Sequence, residues 1–377
     1  MQLLILKEEL EHESRVSITP DICKKLVDLG HEVFVDEDAG KKAGFLNEMY
    51  ESVGGYVINA KNVEECDVVF SINPLLNKTA RRLKNAILIG IQKPHINRDN
   101  LRLFEENAIT SFALDLIPRT TRAQYMDVLS SQSSLAGYKA VIEASHMLNR
   151  ALPLMMTTAG TIPAAKVLIV GAGVAGLQAI ATARRLGAIV QAFDVRSSAK
   201  EQVESLGAKF VDVDFVDESE KQDGVYAKET SEAYKKAQEE KLRSVIPSQD
   251  IIITTAQIPF KNAPVIIKSD MVDTMKHGSI IIDLASETGG NCELTQHGKT
   301  IEHNGVKIVG FENILSLIPY DASRMYAKNM FAFFELLSRN LEEVGDVELI
   351  EDEIIKSTLL TANEKIINPR FQIEEGE

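Results

Sequence analysis

The feature that most constrains this chain is the hexapeptide Gly171-Ala172-Gly173-Val174-Ala175-Gly176. It follows an apolar stretch, 166–170, that reads as a buried strand, and it opens a helical pattern over 174–186. A second apolar strand, 190–194, ends on Asp194, 18 residues beyond the third glycine. Strand, glycine turn, helix and an acid closing the next strand form the fingerprint of a dinucleotide site. Gly171 permits the tight turn and Gly173 lets backbone approach a pyrophosphate. There the helix that begins at Val174 offers free N–H groups and the positive end of its dipole. Gly176 lets helix and strand pack closely. Asp194 would accept hydrogen bonds from ribose hydroxyls and repel a 2′-phosphate, which favours NAD(H) over NADP(H). Val195 and Arg196 follow it beside the same nucleotide, and the Arg196 charge weakens the exclusion. The alternative is a structural glycine turn that binds nothing.

Around this motif, short apolar runs alternate with helical patterns. Strands are expected at 2–7, 32–36, 67–72, 86–91 and 110–114, and again at 209–213, 251–255, 279–283 and 306–310. Helices are expected at 21–29, 133–151 and 322–337, and a loop at 157–163. The alternation implies an α/β fold with two Rossmann-like domains, mostly parallel sheets and a cleft between them. Residues 1–136 would form the first domain, completed by 320–377, and 137–319 the dinucleotide-binding domain. No Gly/Ser-rich or proline-rich linker intervenes, so a helix is expected to join them.

Composition excludes several classes. Hydrophobic residues make 45% and charged residues 25%, which excludes global disorder. Acids outnumber bases 55 to 41 with no basic stripe, which argues against nucleic-acid binding. Cys23, Cys66 and Cys292 are odd in number and scattered, fitting neither a disulfide framework nor a zinc cluster and pointing to a reducing compartment. No histidine pairs with another histidine or a cysteine at metal-ligand spacing, so no metal is expected. The first residues lack a basic n-region and a cleavage site, so no signal peptide is expected. The longest apolar-plus-glycine run, Val167 to Leu177, has 11 residues, short of the roughly 20 that span a bilayer as a helix.

Three further stretches carry a resemblance. They are 122–133 (RAQYMDVLSSQS), 171–187 and 200–207 (KEQVESLG), supported by Ile282-Asp283-Leu284-Ala285 and Gly289-Gly290-Asn291. With these the chain closely resembles the NAD(H)-binding alpha subunit, or domain I, of proton-translocating nicotinamide nucleotide transhydrogenase, a family related to alanine dehydrogenase. The resemblance covers nearly the whole chain and weakens after Phe311. It implies that Arg119, Gln124, Asp127 and Ser130 lie on a loop at the nicotinamide end of NAD(H), with Tyr138 nearby. Gln124 would stand between two nicotinamides when an NADP(H)-binding subunit docks. Tyr226, in Gly224-Val225-Tyr226-Ala227, would close over bound nucleotide. It further implies a membrane-spanning proton-channel subunit, a homodimer, and a cytoplasmic location held at the inner membrane through partners. On residue type alone, Arg119 and Asp127 read as a surface ion pair, Gln124 and Ser130 as helix caps, and Tyr226 as an exposed tyrosine.

The rival is alanine dehydrogenase-like chemistry, which needs a cation for a small carboxylate and a general acid/base for proton transfer. Relatives of that kind carry an early arginine, a lysine at one strand end and a histidine at the next. Arg15 is present here. Phe70-Ser71-Ile72-Asn73-Pro74 holds no lysine, and Gln92 stands where histidine is expected; the alternative is a shifted alignment in which the nearby Lys93 and His95 restore both. Direct hydride transfer between two nicotinamides exchanges no substrate proton and needs chiefly near-attack positioning.

Overall fold

The strands form where short β-branched and aliphatic runs are apolar on both faces, the pattern of a parallel sheet covered on two sides. The computed structural model describes residues 1–59, 66–213 and 232–372. Two units emerge, residues 1–132 with 315–377, and residues 133–314. The reading from sequence set these junctions at 136/137 and 319/320.

In the first unit, β1 (Gln2–Ile5), β2 (Glu32–Asp36), β3 (Tyr56–Ile58), β4 (Val68–Phe70), β5 (Ile87–Gly90) and β6 (Thr110–Ala113) run parallel in the order β3-β2-β1-β4-β5-β6. The C-terminal segment adds β16 (Leu359–Ala362) antiparallel to β6, and β17 (Lys365–Ile366) antiparallel to β16. Leu3 and Ile5 face one side of the sheet, where the long helix Pro319–Val344 lies. There Phe334 meets Phe70 edge-on at 5.5 Å between ring centroids, and Phe333 meets Phe112 at 5.6 Å. Each such buried ring contributes about 1.5–3 kcal/mol through removal from water. Leu4, Val69 and Leu88 face the other side, packed with Leu101, Phe104 and Leu360.

The second unit holds β9 (Lys166–Val170), β10 (Ile189–Phe193), β11 (Lys209–Phe210), β12 (Ile251–Thr254), β13 (Ile280–Asp283), β14 (Lys299–His303) and β15 (Val306–Gly310). Their order is β11-β10-β9-β12-β13-β15-β14, with only the β14–β15 pair antiparallel. Strand order reverses between β9 and β12, which opens a crevice at their C-terminal ends, the usual ligand position in open α/β sheets.

Several expectations need correction. The joining helix is Val128–Met147 and starts five residues before the expected 133, because Asp127 caps it: its Oδ1 accepts the Ser130 N–H at 2.9 Å. The expected loop 157–163 is instead part of a hairpin, β7 (Met155–Thr157) and β8 (Gly160–Ile162), since Gly160 at φ +128° allows the reversal. The long helix outruns 322–337 at both ends, starting at Pro319 and stopping at Gly345, whose φ is +76°. The chain turns into a 3-10 helix at Leu114, so β6 ends at Ala113, and β11 spans two residues rather than five.

The joining helix approaches the glycine-turn helix Val174–Arg185 where neither can spare an atom. A Cβ on Gly137 would sit 2.0 Å from the Ala175 carbonyl oxygen. Gly137→Ala is expected to destabilise the protein by roughly 1–3 kcal/mol through forced separation of the two helices. A thermal unfolding midpoint several degrees below wild type checks this, and an unchanged midpoint refutes it.

Candidate functional site

Gly171 sits at φ +99°, a conformation that side-chain-bearing residues rarely adopt. Its carbonyl oxygen accepts the Thr255 hydroxyl at 3.0 Å, which ties the turn to the end of β12. A Cβ on Gly176 would fall 1.8 Å from that same carbonyl, so helix and turn meet without a side chain between them. At Gly173 a Cβ would meet nothing within 4 Å. Gly173 is the N-cap of the helix, and among the described residues no side chain caps the first turn. The first-turn N–H groups therefore face open space, which fits the diphosphate of a dinucleotide.

Asp194 follows β10 directly. Its Oδ2 accepts the Ala172 N–H at 2.7 Å, and its Oδ1 accepts the Arg196 backbone N–H at 2.8 Å. The Arg196 guanidinium donates to both oxygens, Nε to Oδ1 at 3.0 Å and Nη2 to Oδ2 at 3.1 Å. Burial would raise the carboxyl's pKa, but the bonds from Arg196 and Ala172 outweigh it and hold Asp194 below the ordinary aspartate range. The loop beyond β12 is braced by Asn291, whose side chain accepts the Ala256 N–H at 2.9 Å and donates to the carbonyls of Ala256 and Pro264. Asp283 in turn holds the Ala285, Asn291 and Cys292 N–H groups and the Thr295 hydroxyl.

In the first unit, the 119–127 loop is pinned from behind and exposed in front. Arg122 pairs with Asp352 at 2.6 Å, the Asn329 amide donates to the Tyr125 carbonyl at 2.7 Å, and Ala123 and Met126 are buried. Arg119 and Gln124 are exposed, and Tyr125 is 79% exposed. Asp127 engages both the N–H and the hydroxyl of Ser130, and among the described residues no ion pair joins it to Arg119. The cap of the joining helix is thus Asp127, with Ser130 inside the helix donating to it rather than capping, and the ion-pair reading does not hold.

Arg15 lies in a buried polar cluster at the C-terminal ends of β1, β4 and β5. Its Nε and Nη2 donate to the two Glu13 oxygens at 2.8 and 2.6 Å, and Nη1 donates to Gln132 Oε1 at 2.8 Å. Burial opposes the Glu13 charge, but Arg15 outweighs it and lowers that pKa to about 2. Asn73 bonds both Glu13 and Glu8. Glu8, partly buried, accepts the Ile72 and Asn73 N–H groups, yet burial still raises its pKa to about 7. Gln92 is 2% exposed, and its side-chain amide has no partner among the described residues.

The structure therefore gathers Gly171, Gly173, Val174, Gly176, Asp194, Val195 and Arg196 around one turn in the second unit, with Val174 and Val195 exposed. Arg119, Gln124, Asp127 and Ser130 share one loop and helix start in the first. Tyr138 is partly exposed on the joining helix, next to Gly137. Tyr226 lies outside the described residues. Thr255 was missed by sequence reading, though a second threonine closing the apolar run 251–253 was an available signal. Among the described residues, no cluster of His, Cys, Asp or Glu could hold a metal ion, and no helix is long and apolar enough to cross a membrane.

Two α/β units with mostly parallel sheets, one carrying a fully formed glycine turn, define a two-domain nucleotide-binding α/β protein. Residues 4–136 match the N-terminal domain, and residues 140–369 the C-terminal domain, of the alanine dehydrogenase/PNT family. The chain is 44% identical to an NAD(P) transhydrogenase alpha-subunit polypeptide of Rhodospirillum rubrum over 98% of each protein. It superposes on a solved transhydrogenase structure from Sinorhizobium meliloti with a TM-score of 0.86, at 40% identity, covering 98% of this chain and 100% of that one. Alanine dehydrogenase 1 of Staphylococcus aureus stands further off, 27% identical over 91% of this chain and 89% of that protein. The chain belongs to the alanine dehydrogenase/PNT family, with the transhydrogenase alpha subunits as its nearer relatives and alanine dehydrogenase as a distant one.

The Glu8 carboxyl carries a pH signature. Its pKa rises from the ordinary 4.5 to about 7 on folding, so the folded state holds a proton that the unfolded state releases. That contribution to stability is complete below pH 4.5 and is lost as pH rises through about 7. Glu8→Gln removes the titration. The urea-unfolding midpoint of the variant should therefore gain on wild type between pH 5 and pH 8, and a gap independent of pH would contradict it.

Proposed function

We propose that this chain is the NAD(H)-binding component of a proton-translocating transhydrogenase. Hydride would pass directly between NAD(H) on this chain and NADP(H) on a partner subunit, coupled to proton movement in a membrane-spanning subunit. The chain would sit at the cytoplasmic side of the inner membrane through those partners. When bound, the nicotinamide cofactor supplies the hydride. The protein's task is then to hold one end of that molecule on the glycine turn and to present its nicotinamide ring dry and oriented. The uncapped helix at Val174 suits the diphosphate, and Asp194 suits the ribose diol. Gln124 and Arg119, polar and exposed on a loop braced from behind, suit the carboxamide end, with Asp127 and Ser130 fixing the loop's exit. Tyr138, partly exposed on the joining helix, is assigned to the same nucleotide.

The observation that carries this reading over alanine oxidation is the state of Arg15. The rival needs that guanidinium for a substrate carboxylate. Here both faces of its fork are occupied by Glu13 and Gln132, and the pair is buried. A buried pair of this kind resists opening, because removing one partner leaves an uncompensated charge. The strand end 70–74 holds no lysine, and Gln92 stands where the histidine is expected; an amide there cannot act as general acid or base near neutral pH.

The β7–β8 hairpin supports the homodimer. It pairs with no other strand among the described residues and exposes Leu154, Met155, Met156 and Ile162, with Met156 82% exposed. A lone two-stranded ribbon is marginal in water, and a second copy of the chain is the occupant we assign to its apolar side.

Two measurements test the proposal. NADH oxidation driven by pyruvate and ammonia should be at least 10²-fold below that of an alanine dehydrogenase, since losing a general acid/base alone costs about 10²–10⁴-fold. Robust turnover would overturn the reading. With an NADP(H)-binding component added, single-turnover mixing should show hydride transfer, slowed in Gln124→Asn while NADH affinity stays nearly unchanged. A variant with full transfer rate would make Gln124 a bystander.

A further inference from the structure

A carboxylate offers about four lone-pair positions, and at Asp194 all four are taken. Two go to backbone N–H groups, of Ala172 in the glycine turn and of Arg196. These are set by the turn itself. The other two go to the Arg196 guanidinium. A ribose diol needs two acceptor positions, and the only pair that can be vacated without undoing the turn is the pair held by Arg196. The side chains differ in exposure in the way this requires: Asp194 is 6% exposed and Arg196 53%. Val195 between them is exposed and the following Ser197 and Ser198 are exposed too, so an outward swing of the arginine meets no packed core.

We propose that Arg196 is a latch on the adenosine subsite: its guanidinium occupies the two Asp194 positions that the ribose hydroxyls require, and it must swing out for NAD(H) to bind. The exchange is two N–H donors for two O–H donors, so it conserves hydrogen bonds. The latch also partly neutralises Asp194, which softens the repulsion toward a 2′-phosphate. Arg196 therefore lowers affinity for NAD(H) and narrows the preference over NADP(H). This inference rests on the reading of the glycine turn as an NAD(H) site.

The test is NADH and NADPH titration, with stopped-flow association of NADH, on wild type, Arg196→Ala, Arg196→Lys and Asp194→Ser. Arg196→Ala should bind NADH roughly two- to fivefold tighter, the equilibrium worth of a solvent-facing ion pair, with the gain in the association rate. The same variant should bind NADPH more weakly, because Asp194 is left bare. Opposite shifts for the two nucleotides separate a latch from a merely structural arginine, whose loss would weaken both. Lysine keeps the charge but cannot bridge both oxygens, so Arg196→Lys should associate faster with NADH and retain NADPH binding. If Arg196→Ala does not fold, the lysine variant decides on the same criterion. NADH binding that is unchanged or weaker in the variants removes the latch and leaves the site. NADH binding absent from wild type, or indifferent to Asp194→Ser, removes the site reading and the latch with it.

Discussion

Backbone approaches backbone at the glycine turn more closely than any side chain would permit, and the arrangement of the second unit follows from that. A Cβ on Gly137 would strike the Ala175 carbonyl, one on Gly176 the Gly171 carbonyl, and one on Gly171 the Thr255 hydroxyl at 2.6 Å. These contacts draw the joining helix, the turn and the end of β12 into one stack. The stack sets where the first-turn N–H groups point and where Asp194 meets the Ala172 N–H. Remove the closeness at any level and the anion-facing end of the helix shifts relative to the acid that would read the sugar.

Two arginine–carboxylate pairs, built from the same groups two residues apart in sequence, behave differently because of burial. Glu13 and Arg15 are enclosed, cross-braced by Gln132 and Asn73, and act as architecture for the first unit. Asp194 and Arg196 combine a buried acid with a half-exposed base, so one partner is enclosed while the other stands at the surface. Enclosure converts a charged pair into a strut, and partial exposure converts it into something exchangeable. The first pair keeps the Arg15 guanidinium engaged within its own unit, and the second leaves the glycine turn of the other with an exposed cation beside its acid.

The legible parts of this chain were those whose signal is local. The glycine hexapeptide, the acid at the end of β10, and apolar runs such as 166–170 and 251–254 carry their structure in their own residue types. What escaped depends on partners distant in sequence. β16 exists because Leu359–Ala362 finds the edge of β6, some 250 residues away, through the Ser111–Thr361 hydroxyl contact at 2.6 Å. The hairpin escaped because Thr, Ala, Gly and Pro over 157–163 are turn residues, and only Met155 and Met156 hinted at a strand. Of the site, Asp194 was visible but the occupancy of its lone pairs was not. That needs the positions of Ala172 and Arg196 in space.

The 119–127 loop has a property that follows from its anchoring. The Arg122 side chain ties it to Asp352, the Tyr125 carbonyl to Asn329, and the Asp127 side chain to the start of the joining helix, while Arg119, Gln124 and Tyr125 are exposed. A surface already held in shape asks little further ordering of whatever docks on it, and the entropy that usually opposes association is correspondingly reduced. Few outward side chains also mean little area to hold a visitor. Such a loop favours encounters that form readily and end readily.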